Sequence, residues 1–526
     1  MTPLDEAAER IDARARALGL ELTTGGEPTF TCASSDAPEW RTEPLGDDKR
    51  ARAASLASAI ARRFGGAVEL APGRKYAGED APRWLLRVAW PEAALAVTPD
   101  PGVVEVNLPP AATWRDLRAF THAAYDAAGD AGLAAGRLLH SGRTVGSGGG
   151  AHVTLGGPTP QRSPFVVRPA LLPALVAYVH AHPSLSYAFT GLSAGATSQA
   201  PRCDEGGPDR VRDLRIALSA LAARGGALAV DEVRATLAPL MCDATGNTHR
   251  AEINVEKLAA GLVELRAVES PPSAEMLLAV ATLWRAIVVR LAAAPYEQQI
   301  VDWGARLHDE WMLPSRLAED LAEVQGDLAA HDLALPRDLF APNLARRYPL
   351  LGTLAAPGVV AEVRQALEPW PVVGALATQE AAASRAIDSS TDRLEIRLSG
   401  PAAAGTMVVV GGRDVPARPL EDGARVGGVR YRAAAPPPGG LAPTIAPHAP
   451  LTLALVDRAN GATLAAARYH PWHPADGDWD ALPRDAEEAS RRCEARFERR
   501  PADHARWRAA PTQEWTLDLL LATNAE

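Results

Sequence analysis

The stretch Gly261-Leu-Val-Glu-Leu-Arg-Ala-Val-Glu-Ser-Pro-Pro272 constrains the chain more than any other. Val263, Leu265 and Ala267 alternate with Glu264, Arg266 and Val268. A strand here presents Glu264 and Arg266 on one face and an apolar row on the other. The apolar row needs a helical cover. Pro271 and Pro272 end the strand ahead of a helically spaced apolar segment at 276–291. A carboxylate and a guanidinium side by side in a recess are costly to desolvate unless a charged ligand joins them. A metal-bound phosphate meets that need, with the carboxylate on the cation and the guanidinium on the phosphate oxygens. A solvated cross-strand ion pair is the plainer alternative.

Two further segments repeat the pattern. Val104, Val106 and Leu108 alternate with Glu105 and Asn107; Ala251, Ile253 and Val255 alternate with Arg250, Glu252 and Asn254. If the three strands share a sheet, its polar face is a basin of carboxylates and guanidiniums, which divalent cations and a polyphosphate would neutralise. Two glycine-rich segments add to it. Gly25-Gly-Glu-Pro-Thr-Phe30 places Glu27 at a strand end, or else in a solvated Gly-Pro turn. Ser147-Gly-Gly-Gly-Ala-His-Val-Thr-Leu-Gly-Gly-Pro158 sets His152 and Thr154 on one face, and a structural histidine is the alternative. No Gly-Lys-Ser/Thr follows and no Gly-x-Gly-x-x-Gly is present, so neither common nucleotide fingerprint applies. The polar stretch 197–205 reads as a lid or as a solvated turn.

With 526 residues, 47 % of them apolar, about two to four domains are expected. A net charge of −10 and pI near 5.7 point away from nucleic-acid and membrane-surface partners. The first residues lack a basic stretch followed by an apolar core, and no run approaches the roughly 18 uncharged apolar residues that span a bilayer. Four scattered cysteines form neither a CxxC pair nor a disulfide framework, which fits the reducing cytoplasm. Helices are expected at 4–18, 47–64, 113–131, 169–181, 211–223 and 230–240, with mostly helical chain over 296–370, where Glu362 and Arg364 repeat Glu-x-Arg in a structural setting. After 388, short strands alternate with Gly/Pro turns, as in a β-sandwich of about 90 residues. The fold class is α+β. An antiparallel sheet backed by helices fills 1–385, a β-sandwich-like domain 386–475 and a charged helical tail 476–526.

Gly26-Glu-Pro-Thr-Phe, Val104-Glu-Val-Asn-Leu, Gly149-Gly-Ala-His, Asp243-Ala-Thr-Gly-Asn-Thr-His-Arg-Ala-Glu and Val263-Glu-Leu-Arg-Ala resemble a bacterial family of amidoligases. That family belongs to the carboxylate–amine ligases with the glutamine synthetase/glutamate–cysteine ligase fold, and the likeness runs over about 14–500. The family pattern has Asn where this chain has Ala151. Many members carry a transglutaminase-like domain ahead of this region, whereas no Cys-His-Asp constellation precedes Gly26 here. The resemblance implies two or three magnesium (or manganese) ions held by Glu27, Glu105 and Glu264, with Glu252 a further ligand. It implies ATP bound near His152, Asn107, Gly149 and Gly150, with Arg266 and Arg250 stabilising the transferred phosphoryl group and Glu264 and Arg266 catalytic. A carboxylate would become an acyl phosphate that an amine attacks, so no protein nucleophile is required, in keeping with the lack of a Ser-His or Cys-His arrangement. The substrates would be a small-molecule or peptide carboxylate and an amine, in a peptide-modifying pathway with partner enzymes. An inactive member that binds a peptide or partner, and a metal-dependent hydrolase using the same basin, are the rival readings.

Overall fold

In the computed structural model, which describes residues 2–32, 46–73, 83–296, 300–375, 385–475, 479–501, 507 and 514–522, period-two alternation becomes sheet. The strands that set the polar face are β1 (Thr23–Glu27), β2 (Thr29–Phe30), β3 (Ala67–Pro72), β4 (Trp84–Trp90), β5 (Ala93–Asp100), β6 (Val103–Asn107), β7 (His152–Gly156), β8 (Ile253–Asn254) and β9 (Val263–Leu265). They form two antiparallel sheets, ordered β2-β6-β5-β4-β3 and β1-β7-β9-β8. β1 and β2 are nearly continuous, interrupted at Pro28, and both lie along one partner segment. Thr29 sits opposite Glu105, while the carbonyls of Pro28 and Gly26 accept from Val106 N and Leu108 N at 3.0 and 2.9 Å. The sheets therefore meet edge to edge.

Helices cover the apolar side. Val104 and Val106 pack with Leu56 and Ile60 of the Asp47–Phe64 helix and Ala124 and Ala127 of the Trp114–Asp130 helix. Val153, Leu155, Val263 and Leu265 share a second core with the helices Pro3–Ala17, Leu171–Ala181 and Ala274–Ala293. Each such branched side chain contributes about 1.5–3 kcal/mol on full burial. By length and composition the Ala274–Ala293 helix could cross a membrane, yet 89 % of its apolar window is buried inside the protein, where it serves as the core helix. Its buried Arg285 donates to Thr24 Oγ1 (2.6 Å) and Leu22 O (3.3 Å) and pairs with Asp12. The other oxygen of Asp12 accepts from Trp114 N at 2.8 Å, so one guanidinium ties core helix, first helix and β1 together.

The second half departs from the sequence reading at two places. Helix was expected across 296–370, but it ends with Ala341–Arg347, and Leu350–Ala356 and Val359–Gln365 are strands. Val359, Ala361 and Val363 are buried while Val360 is exposed and Glu362 and Arg364 are half-buried, a strand's period. Glu362 and Arg364 form a 3.1 Å ion pair on the outer side. These strands join Thr391–Ser399 and Arg425–Arg432 in one sheet, and Thr406–Val410, Leu451–Asp457 and Thr463–Tyr469 lie in another. Val363, Leu394 and Ile396 meet Val408, Leu453 and Leu455 in one core, so the two sheets face each other. The expected helical tail holds the Ala486–Ala495 helix, but Phe497–Arg500 extends the second sheet and Thr516–Asp518 pairs parallel with Arg425–Arg432. Partners so distant in sequence leave no local signal.

Arg285→Ala should cost about 3–5 kcal/mol of stability by stranding buried Asp12. Urea unfolding of the two proteins measures it, and a loss under about 1 kcal/mol would remove this tie from the fold.

Candidate functional site

Register gathers the acidic residues. β1 against β7 sets Glu27 opposite His152, β9 against β7 sets Glu264 opposite Thr154, and β8 against β9 sets Asn254 opposite Glu264. Residues directly opposite share a face, so these side chains converge on the side away from the helices. His152 Nδ1 lies 3.0 Å from Glu264 Oε1 and 3.3 Å from Glu27 Oε2. Arg266 Nη1 donates to Glu264 Oε1 at 2.7 Å. A residue the sequence reading did not select closes the group. Lys257, on the one-turn 3₁₀ helix Glu256–Ala260, puts Nζ 3.1 Å from Glu27 Oε1 and 3.0 Å from Glu264 Oε2. The side chains of Glu264 and His152 are 1 % and 9 % exposed, that of Glu27 16 % and that of Lys257 39 %. The cluster thus opens outward at Lys257.

Its electrostatics follow from these contacts. Burial pushes the Glu264 carboxyl up, but His152, Arg266 and Lys257 outweigh burial and hold it well below the usual carboxylate range. Burial and Arg266 disfavour the His152 imidazolium, and Glu264 and Glu27 reverse that, raising its pKa. Burial, then the charges of Glu27 and Asp100, push Glu105 up to about 7. Asn107 Nδ2 donates to Glu105 Oε1 at 2.9 Å, so Asn107 supports that carboxylate.

Beside the cluster runs the glycine loop. A Cβ on Gly150 would stand 2.1 Å from His152 Nε2, and one on Gly149 2.8 Å from Thr29 Oγ1, so both positions exclude side chains. Thr29 pins the loop: its Oγ1 donates to Gly150 O (2.9 Å) and lies 2.7 and 2.8 Å from the hydroxyls of Ser147 and Ser270. A cavity of about 220 Å³ lies between this loop, Arg137, Arg266, Glu269 and the segments 190–193 and 198–200. Among the described residues, His152 Nε2 and Arg266 Nε are buried polar atoms without a hydrogen-bond partner. The donor set fits a divalent cation: Glu27, His152 and Glu264 each offer a ligand atom, all within 4.8 Å of one another, and carboxylate oxygens suit magnesium or manganese.

Other expected residues stand elsewhere. Glu252 accepts from Ser186 Oγ beside fully buried Arg202, apart from the grouped ligands, and burial pushes it up to about 7 despite Arg202. The strand expected to align Arg250 with Glu252 and Asn254 shrinks to Ile253–Asn254; Arg250 lies in a bend before it, where sheet alternation does not set its direction. The 197–205 segment is not a solvated turn: Arg202 is buried on Asp204 (2.9 Å), Ser186 Oγ (2.8 Å) and His180 O (2.9 Å). Ala151 is packed in the helix-side core, so the side chain at that position faces away from the site.

The family model described as "Putative amidoligase enzyme (DUF2126)" matches residues 2–95 and 92–519. The chain belongs to this amidoligase family. No curated protein matches by sequence. A solved structure titled "Apo GmaS without ligand" is similar at 14 % identity over 65 % of this chain and 72 % of that one, with a TM-score of 0.30. For the family member described here, one signal for Lys257 was available. It is one of only three lysines in a chain whose Lys and Arg total 54, and that rarity sets it apart.

Glu252 also yields a pH prediction. Burial holds its carboxyl at about 7 in the folded chain, above the ordinary glutamate value of about 4.5, so its contribution to stability is complete below about pH 4.5 and is lost as pH rises through about 7. Glu252→Gln, neutral throughout, should flatten the fall in thermal midpoint between pH 5 and 8. An unchanged slope would show that Glu252 titrates normally.

Proposed function

We propose that the chain is an ATP- and magnesium-dependent ligase that joins a carboxylate to an amine through an acyl phosphate. Membership of an amidoligase family supports the reaction class. The observation that carries the finer reading is the Glu27–His152–Glu264 group with Arg266 reaching from it to the wall of the glycine-lined cavity. Glu27, Glu264 and His152 would hold the cation, with Glu105 completing the acidic wall. The cation would neutralise phosphate charge on the nucleotide.

Arg266, fixed on Glu264, presents its guanidinium to the equatorial oxygens of the phosphoryl group during transfer, where the loose transition state gathers charge. The γ-phosphoryl passes to a substrate carboxylate oxygen and ADP departs. The amine attacks the acyl carbon, inorganic phosphate leaves, and the nitrogen gives up a proton. The loop at Gly149 and Gly150 brings backbone rather than side chains to the cavity, as close approach of a phosphate requires. A cavity of about 220 Å³ takes the reacting end of a substrate, such as one terminus of a peptide, and leaves the remainder outside.

Glu264→Gln should lower ATP turnover by about 10²-fold or more while far-UV circular dichroism stays unchanged. Undiminished turnover would move the site elsewhere. Calorimetric titration with a non-hydrolysable ATP analogue and magnesium should show binding that Arg266→Ala weakens, and no binding to the wild-type chain would end the ligase reading.

A further inference from the structure

We propose that Lys257 is the built-in counter-cation of the Glu27–Glu264 pair, and that a divalent cation enters this site in exchange for its ammonium group. The inference rests on the metal-site reading given above. Every carboxylate oxygen of the pair is engaged by a basic side chain. Glu27 Oε1 meets Lys257 at 3.1 Å and Oε2 meets His152 at 3.3 Å. Glu264 Oε1 meets His152 at 3.0 Å and Arg266 at 2.7 Å, and Oε2 meets Lys257 at 3.0 Å. A magnesium-sized ion needs such oxygens at about 2.0–2.1 Å, and two cations cannot share them at that range without strong repulsion. His152, itself a ligand in this reading, binds the ion as neutral imidazole, and of the two remaining bases one must move aside.

Anchorage selects which. Arg266 and His152 belong to the β7–β9 region of the sheet, their side chains 14 % and 9 % exposed. Lys257 stands at the mouth on a flexible four-carbon stem. Its backbone is fixed at both ends: Glu256 N donates to Asn254 Oδ1 at 2.8 Å, and Gly261, at φ +73°, has no room for a Cβ, which would fall 2.8 Å from Pro160 Cα. The exchange therefore moves one side chain and no strand. Before the metal arrives, Lys257 keeps two recessed carboxylates from facing each other without a counter-ion. Afterwards its charge stays at the rim, beside any anion the cation carries.

The test titrates manganese(II) into the full chain and follows free ion by electron paramagnetic resonance, for wild type, Lys257→Met and Lys257→Arg. Removing a competing ammonium with two carboxylate contacts should tighten manganese binding on the order of tenfold in Lys257→Met. Lys257→Arg, which keeps the charge, should stay near wild type. Without metal, Lys257→Met should melt lower than wild type, and manganese should raise its midpoint further. Wild type that binds manganese while Lys257→Met binds equally or more weakly overturns the exchange and leaves the metal site standing. Absence of binding to all three proteins overturns both. Should Lys257→Met fail to fold, Lys257→Gln takes its place with the same expected gain.

Discussion

A carboxylate almost wholly removed from water, Glu264, is held by an imidazole, a guanidinium and an ammonium. Burying one charge alone costs several kcal/mol, so the position survives only because its partners are delivered from separate elements. His152 comes from the neighbouring strand, Arg266 from two residues further along, and Lys257 from the turn linking β8 to β9. The strand-borne deliveries depend on register, since a slip of one residue would send the side chain to the helices. The apolar residues between them, Val153, Val263 and Leu265, enforce that register by packing into the helix-side core.

The same alternation explains what could be read in advance. Glu105, Glu264 and Arg266 declare their face by spacing alone, as Val106, Val263 and Leu265 declare theirs. Glu27 and His152 stand at glycine-bordered strand ends, where backbone approaches closely. Their pairing across 125 positions of sequence is a matter of register, which local pattern does not encode. Local pattern does not mark Lys257, because a 3₁₀ turn has neither of the periods that mark a face. Glu252 fits the alternation but joins Ser186 and Arg202 instead, because the strand that would carry it is only two residues long.

Elsewhere the errors have equally local causes. Over 359–365 the buried Val-x-Ala-x-Val row is present in the sequence, yet it lies at the end of a longer stretch, 296–370, that reads as mostly helical. The 197–205 segment reads as a lid or a solvated turn because Arg202, Asp204 and Glu205 are charged. They instead neutralise one another and neighbouring groups, with Glu205 taking His308 Nε2 at 2.9 Å. Charge predicts exposure only where no partner is provided by the fold.

The break at Pro28 carries a mechanical consequence. Glu27 stands where the two sheets join, one backed by the helices Asp47–Phe64 and Trp114–Asp130, the other by the core helix and its neighbours. Glu105 belongs to the first body and Glu264 to the second. The spacing across the acidic wall therefore depends on how the two sheets join at this seam as well as on any one strand. A repacking in either helical layer, far from any charge, would be felt at the wall as a change in bite.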